Sequence, residues 1–302
     1  MRVVVFGASG VQGAAQVAAL SRAGHDPVAV SRNPKPLDID EKSIETFALD
    51  FDNAHGLDKV LEHGEIIFLN LPSTSFQTSE PVIAAAKKIG EAAAKASNVK
   101  LIVFNTSMPV PDESKGIRAQ DDRREIRRLL RATGIPVISI QPVVFLENLL
   151  EGWARPPLVE RDTIVYCHQE SLEVSWICHH DIAQFMMAAM KRPDLDGRNF
   201  AVAGPETVCL PQLTEKLSRA WNRSLKYESQ TVDDFCEKIS QAMKDRSSLD
   251  LDRVVSDMRK AYTYYRESDE FKPDMEQVLK ELPVELTLIE EWARLHPLPS
   301  RA

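Results

Sequence analysis

Through the first half of the chain, short runs of consecutive apolar residues alternate with stretches whose apolar positions recur every three or four residues. RVVVFG (2–7) is a β-branched run and reads as a buried strand. Beyond it, Ala14, Val17, Ala18 and Ser21 share one helix face, and Gly24 supplies the stop. DPVAVSR (26–32) predicts a second strand ended by Asn33-Pro34, and IETFALDF carries a third. Residues 54–63 predict a short helix and EIIFLNLP (65–72) a fourth strand. An Ala-rich helix from about 81 to 96 precedes a fifth strand, VKLIVFNTS (99–107). A helix from about 121 to 132, stopped by Gly134, leads to a sixth, PVISIQP (136–142). Strands separated by helices pair in parallel through right-handed crossovers, which predicts an α/β fold with a doubly wound parallel sheet.

The second half is less regular. TIVYC, LEVSWIC and NFAVAG predict strands, HDIAQFMMAAMKR and LPQLTEKLSRAW predict helices, and from about 231 the pattern is helical and charged. RESDEFKPD (266–274) reads as a loop. The expected organisation is a dinucleotide-binding domain over 1–150, with return segments near 174–203. A smaller, mixed and mostly helical C-terminal substrate region follows over 151–302.

Charge and cysteine content narrow the partners. A net charge of −8 over 302 residues argues against nucleic acid or an anionic membrane. The cluster Arg123, Arg124, Arg127, Arg128 and Arg131 alternates with acids and reads as the wet face of a helix. Cys167, Cys178, Cys209 and Cys236 form no CxxC pair and predict buried free thiols in a reducing compartment. Met1 leads straight into a strand, and no apolar run approaches the ~20 residues of a bilayer span, so the expected location is the cytoplasm.

The candidate chemistry begins at the end of the first strand, with Gly7, Gly10 and Gly13. A strand before, a helix after and a second strand beyond are the context in which such glycines cradle a dinucleotide. Gly7 allows the sharp turn, Gly10 the close approach of a pyrophosphate, and Gly13 the packing of helix on strand. The helix N-terminus offers free N–H groups to the phosphates, and Ser9, Val11 and Gln12 belong to the same loop. The second strand ends Val30-Ser31-Arg32-Asn33 without an acid. A carboxylate there would bind a ribose 2′-hydroxyl and repel a 2′-phosphate, whereas Arg32, helped by Asn33, would bind the phosphate. NADP(H) is therefore favoured over NAD(H).

The spacing GASGVQG resembles the loop of the NmrA-like branch of atypical short-chain dehydrogenases/reductases. RLLRATGIPVISIQPVVFLENLL is similar to that family's passage beside the nicotinamide, HHDIAQFMMAAM to its helix start, and ELPVELTLIEEWARLH to its tail. The resemblance implies a Rossmann fold with the adenine near Asp50, Phe51 and Asp52. It implies that Leu71-Pro72-Ser73 runs along the cofactor, that Asn105, Thr106 and Ser107 close the fifth strand, and that Pro142 lies in the passage beside the nicotinamide.

Short-chain reductases carry Tyr-x-x-x-Lys on the helix after the fifth strand, where the Lys cation eases proton exchange by the Tyr. Here those positions fall at about Ala119 and Arg123, and every tyrosine lies at 166 or beyond. Ala119 cannot move a proton; Arg123 stays protonated but could hold a ribose hydroxyl or a phosphate. Ser107 is the catalytic candidate that survives. Two readings stand. One is an NADPH-dependent oxidoreductase passing hydride to a small carbonyl, quinone or conjugated acceptor. The other is a catalytically silent NADP(H) sensor acting through a regulatory protein partner. A homo-oligomer fits either.

Other constellations read as structural. His179 and His180 are adjacent, unlike zinc-binding histidines at i and i+4, and Asp181 reads as a helix N-cap, so no metal is expected. Lys115 reads as an exposed loop lysine. Met186, Met187 and Met190 read as core. Trp153 and Trp176 either line a cleft or simply pack.

Overall fold

The computed structural model describes residues 1–51, 53–243 and 250–299. The first half runs β1 (Arg2–Phe6), α1 (Val11–Arg22), β2 (Asp26–Ser31), β3 (Leu37–Ile39), β4 (Lys42–Ala48), α2 (Ala54–Leu61), β5 (Ile66–Asn70), α3 (Glu80–Lys95), β6 (Leu101–Asn105), α4 (Arg118–Arg131) and β7 (Val137–Pro142). The second runs α5 (Arg155–Arg161), β8 (Thr163–Tyr166), α6 (His179–Ala189), β9 (Asn199–Val202), α7 (Leu210–Trp221), β10 (Lys226–Ser229), α8 (Val232–Met243), α9 (Leu251–Tyr265), α10 (Met275–Glu281) and α11 (Ile289–Leu295).

The main sheet has the order β3-β4-β2-β1-β5-β6-β7-β9, and β8 pairs with β10 in a separate parallel pair. Every pairing in the main sheet is parallel except β3 with β4. The chain builds outward from β1 in one direction, then returns to build outward in the other. The switch point therefore lies beside β1, where such sheets bind ligands beyond the strand ends. Strand alternation divides the core: Val3 and Val5 enter the cluster holding Val17, Leu20 and Phe185, while Val4 and Phe6 enter the one holding Leu61, Ile89 and Ile126. Helices thus cover both faces, as continuous apolar strands require.

Several expectations are corrected. The third strand is the second arm of a hairpin whose turn residues, Asp40 and Glu41, both have positive φ (49° and 66°). LEVSWIC is no strand; it makes only isolated bridges, Val174 to Val208 and Ile177 to Phe145. The arginine cluster does lie on a helix, but that helix begins at Arg118, and Arg123 and Arg127 are buried rather than wet. Asp181 does not cap α6, whose N-cap is Cys178. Instead its buried carboxylate accepts from Thr287 N (3.0 Å) and Thr287 Oγ1 (2.7 Å), pinning the C-terminal tail to α6. Burial raises its pKa. Cys167, Cys178 and Cys236 are buried, Cys209 is partly so, and all four are free thiols. The three methionines are core residues, and 266–274 is a loop between α9 and α10.

An aromatic cluster joins β8 to the helices that follow. His168 stacks on Phe271 (5.3 Å, 22°) and meets Tyr166 and Tyr262 edge-on. Burial lowers the His168 pKa from 6.5 to about 3. The unfolded chain takes up this proton near pH 6.5 and the folded chain only near 3, so the stability of the neutral ring is present above pH 6.5. It is lost as pH falls toward 3, at about 1.4 kcal/mol per pH unit. Urea unfolding at about pH 7.5 and about pH 5 should show roughly 2 kcal/mol of acid destabilisation in the natural protein that His168→Phe lacks.

A candidate dinucleotide cleft

The glycine loop leaves β1 through Gly7, whose φ is +74°; a Cβ there would lie 2.6 Å from the Asn70 carbonyl oxygen. Gly10 N donates to Gly7 O (3.0 Å), and Ala8 N donates to Val30 O (3.2 Å), tying the loop to β2. At Gly13 a Cβ would overlap the Gly7 carbonyl oxygen and sit 2.8 Å from its carbon, so α1 packs directly on the loop backbone. Helix α1 has no side-chain cap and no acid in its first turn. Its first N–H groups are the donors that a helix leaves unused, and they face the cleft with the positive end of the helix dipole.

The cleft holds about 340 Å³. Its walls are the loop from Gly7 to Gly13, then Val30, Ser31 and Arg32 from β2, Leu49 and Phe51 beyond β4, Asn70, Leu71 and Pro72 beyond β5, and Ser107 beyond β6. Of the predicted residues, Gly7, Ser9, Gly10, Val11, Gln12, Gly13, Arg32, Phe51, Leu71, Pro72 and Ser107 meet there. Asn33 is exposed beside Arg32, Asn105 and Thr106 are buried at the end of β6, and Pro142 is buried at the end of β7; none of the four is on the wall. Asp52 lies outside the described residues. Arg32 is exposed and makes no ion pair with any described residue.

A polar network under the loop holds three strand ends together. Asn70 Nδ2 donates to Gln16 Oε1 (2.7 Å) and Phe6 O (3.0 Å), and Gln16 Nε2 donates back to Asn70 Oδ1 (2.8 Å). Asn105 Nδ2 donates to Asn70 Oδ1 (2.9 Å) and to Gln12 Oε1 (2.6 Å). Asn105 Oδ1 accepts from Ser107 N (3.0 Å), and Ser107 Oγ donates to Gln12 Oε1 (3.4 Å). Ser107 is in the left-handed region (φ 60°), an uncommon conformation for a residue with a side chain, held here by that contact and by its neighbours. Thr106, buried, donates to Met108 O (2.6 Å) and steadies the same turn. Asn70→Leu should leave the buried Gln16 amide without partners and Phe6 O without its side-chain donor. About 2–4 kcal/mol of stability should be lost, readable as a lower urea midpoint.

Arg123 is fully buried behind the wall. Its Nη2 donates to Leu71 O and Pro72 O, both at 2.9 Å, while Nε and Nη1 are shielded without a partner among the described residues. Desolvation lowers its pKa to about 10, against the opposing pull of Asp122, so it remains a cation at neutral pH. The side chain thus shapes the Leu71-Pro72 turn and does not line the cleft. Ala119 lines a smaller cavity of about 170 Å³, with Met108, Ile117, Tyr262 and Tyr265 among its walls. Ser107 and Met108, consecutive residues, face the cleft and this cavity respectively. Arg118 Nε donates to Asp257 Oδ2 (2.6 Å) and binds α9 across the small cavity. Lys115 is exposed. Among the described residues no cluster could hold a metal ion, and no helix is long and apolar enough to cross a membrane.

Sequence reasoning did not find Asn70, Gln16 or Leu49. A signal existed for Asn70, which is the only polar residue in IIFLN.

Sheet order, glycine loop and cleft define a Rossmann-type α/β protein built to hold a dinucleotide. The sequence profile of the NmrA-like family matches residues 1–293, and the chain belongs to that family. A (4-alkanoyl-5-oxo-2,5-dihydrofuran-3-yl)methyl phosphate reductase of Streptomyces griseus is 28% identical over 234 residues, 76% of this chain and 78% of its own. An NADPH-dependent quinone oxidoreductase of Escherichia coli, solved with NADPH, shares the fold. Its TM-score is 0.74 over 98% of this chain and 99% of its own, at 17% identity. NmrA, a negative transcriptional regulator solved with NADP, superposes with a TM-score of 0.71 over 97% and 94% at 19% identity.

Proposed function

We propose that this protein is an NADPH-dependent oxidoreductase that reduces a small carbonyl, quinone or conjugated acceptor. The observation that carries the reading is the cleft itself: an uncapped helix N-terminus above three glycines, with the cation Arg32 and no acid at the end of β2. Bound NADPH supplies the hydride. Arg32 binds the 2′-phosphate, the α1 N–H groups bind the pyrophosphate, and Phe51 and Leu49 give the adenine an apolar wall. Arg123 holds the Leu71-Pro72 turn in place from behind. Ser107 exchanges its long bond to Gln12 Oε1 (3.4 Å) for one from its hydroxyl to the acceptor oxygen, and solvent supplies the proton, because Ala119 stands where the usual tyrosine would. The reductase from Streptomyces griseus supports the class of reaction. Purified protein should consume NADPH stoichiometrically with an acceptor from a panel of quinones, enones and azo dyes. Failure across the panel despite bound NADPH would overturn the reading.

Ala119 and the buried Arg123 favour a second reading, a redox sensor that binds NADP(H) and signals through a partner. That reading requires different affinities for NADPH and NADP⁺, or different conformations with them. Equal affinity in calorimetry together with identical hydrogen exchange in the two complexes would remove it.

A further inference from the structure

A second cleft, of about 700 Å³, lies away from the glycine loop and repeats its logic. Strands β8 and β10 run parallel, and the residues just beyond their carboxyl ends, Cys167-His168 and Gln230-Thr231, form its walls. The starts of α7 and α8 complete it through Cys209 and Val232. Ligands collect at this end of parallel strands because helix N-termini and turn N–H groups converge there.

Two buried side chains on the wall have hydrogen-bonding atoms left over. Gln230 is only 7% exposed, yet neither its Nε2 nor its Oε1 has a partner among the described residues. His168 is 4% exposed and its Nδ1 has none among them either. Native proteins rarely leave both ends of a buried carboxamide unpaired, since each orphan bears its full desolvation penalty. A group that satisfies both must present a donor and an acceptor side by side. A carboxylate would satisfy Nε2 and set a negative oxygen against Oε1. Arg266 and Glu170 also line the cleft, and their opposite charges favour a ligand without net charge.

We propose that this cleft is a second small-molecule site and that it takes a neutral planar compound through an amide or lactam edge paired with Gln230. Only one layer of side chains separates it from the small cavity at Ala119, since His168 meets Tyr262 edge-on at 5.8 Å and Tyr262 lines that cavity. Among the described residues, the glycine-loop cleft shares no lining residue with it.

The test is calorimetric titration of the full chain with benzamide and with benzoate, in the absence and presence of saturating NADPH. Benzamide should bind at least about tenfold more tightly than benzoate, because a site built around paired polar groups rejects an analogue that leaves one unpaired. Its affinity should not fall when NADPH is added, which separates this site from any nicotinamide pocket. Gln230→Leu should weaken benzamide at least about tenfold. Because Gln230→Leu could disturb folding, Gln230→Glu is measured beside it and should also lose benzamide, having no amide donor. Equal binding of benzoate, displacement of benzamide by NADPH, unchanged affinity in a folded variant, or no binding of either compound would each overturn the proposal. None of these outcomes depends on whether the protein reduces anything.

Discussion

Arg32→Ala should weaken NADPH binding by roughly 10–150-fold and leave NADH binding within about a factor of two. Hydrogen bonds to a charged partner contribute about 1.5–3 kcal/mol, and each 1.4 kcal/mol is tenfold in affinity. The side chain stands at the end of β2 on the wall of the glycine cleft, exposed and without an ion-pair partner among the described residues. Removing it leaves no buried group unsatisfied, so the fold should be unaffected and the whole effect should appear in the affinity. Because the site is open to solvent, the difference should shrink as salt rises. Arg32→Asp should go further and reverse the preference, repelling the 2′-phosphate and accepting from the 2′-hydroxyl. The measurement is calorimetric titration of each variant with both cofactors at low ionic strength. If Arg32→Ala weakens both cofactors equally, the residue supports the loop and does not read the phosphate.

The elements that position this cleft were legible because they are local. A β-branched run, three glycines and a periodic helix follow one another within 24 residues, and the switch point follows from the alternation of strands and helices. What was illegible depends on distant convergence. Asn70 matters because β1, β5 and β6 end side by side, which no local pattern states. Asp181 looks like a cap in the sequence and becomes a tail anchor only because Thr287, over a hundred residues on, folds back against α6. The turn at Asp40-Glu41 needs two left-handed residues yet carries neither glycine nor asparagine, so the hairpin gave no turn signal. On α4 the buried stripe Ala119, Arg123, Ile126 and Leu130 keeps helical spacing, but a guanidinium at one of its positions disguised it as a wet face. The two arginines that stay dry do so for different reasons. Arg123 binds the Leu71-Pro72 carbonyls, and Arg127 reaches Asp112 (3.0 Å).

The largest effect is expected from the smallest substitution, Gly13→Ala. In an exposed helix this change would stabilise by about 1 kcal/mol through propensity alone. Here the three atoms nearest the added Cβ are all main chain: it overlaps Gly7 O and lies 2.8 Å from Gly7 C and 2.9 Å from Ala8 Cα. A side chain could rotate aside, but these atoms are held by β1 and by the bond from Ala8 N to Val30 O. Helix α1 must therefore move away from the loop by about 1 Å to restore van der Waals separation. Its first-turn N–H groups then no longer converge with Gly10 on one point. With one or two N–H bonds to a charged phosphate lost, at about 1.5–3 kcal/mol each, NADPH affinity should fall by about two orders of magnitude, with a lower urea midpoint because the Gln16–Asn70 pair under the helix is pulled apart. Gly24→Ala is the control. Gly24 has φ +77° with nothing within 4 Å of a Cβ, so that variant should lose about 1 kcal/mol of stability and keep its cofactor affinity. Gly13→Ala binding NADPH as tightly as the natural protein would mean that phosphate recognition does not depend on the contact between α1 and the loop, and the cleft reading would fall with it.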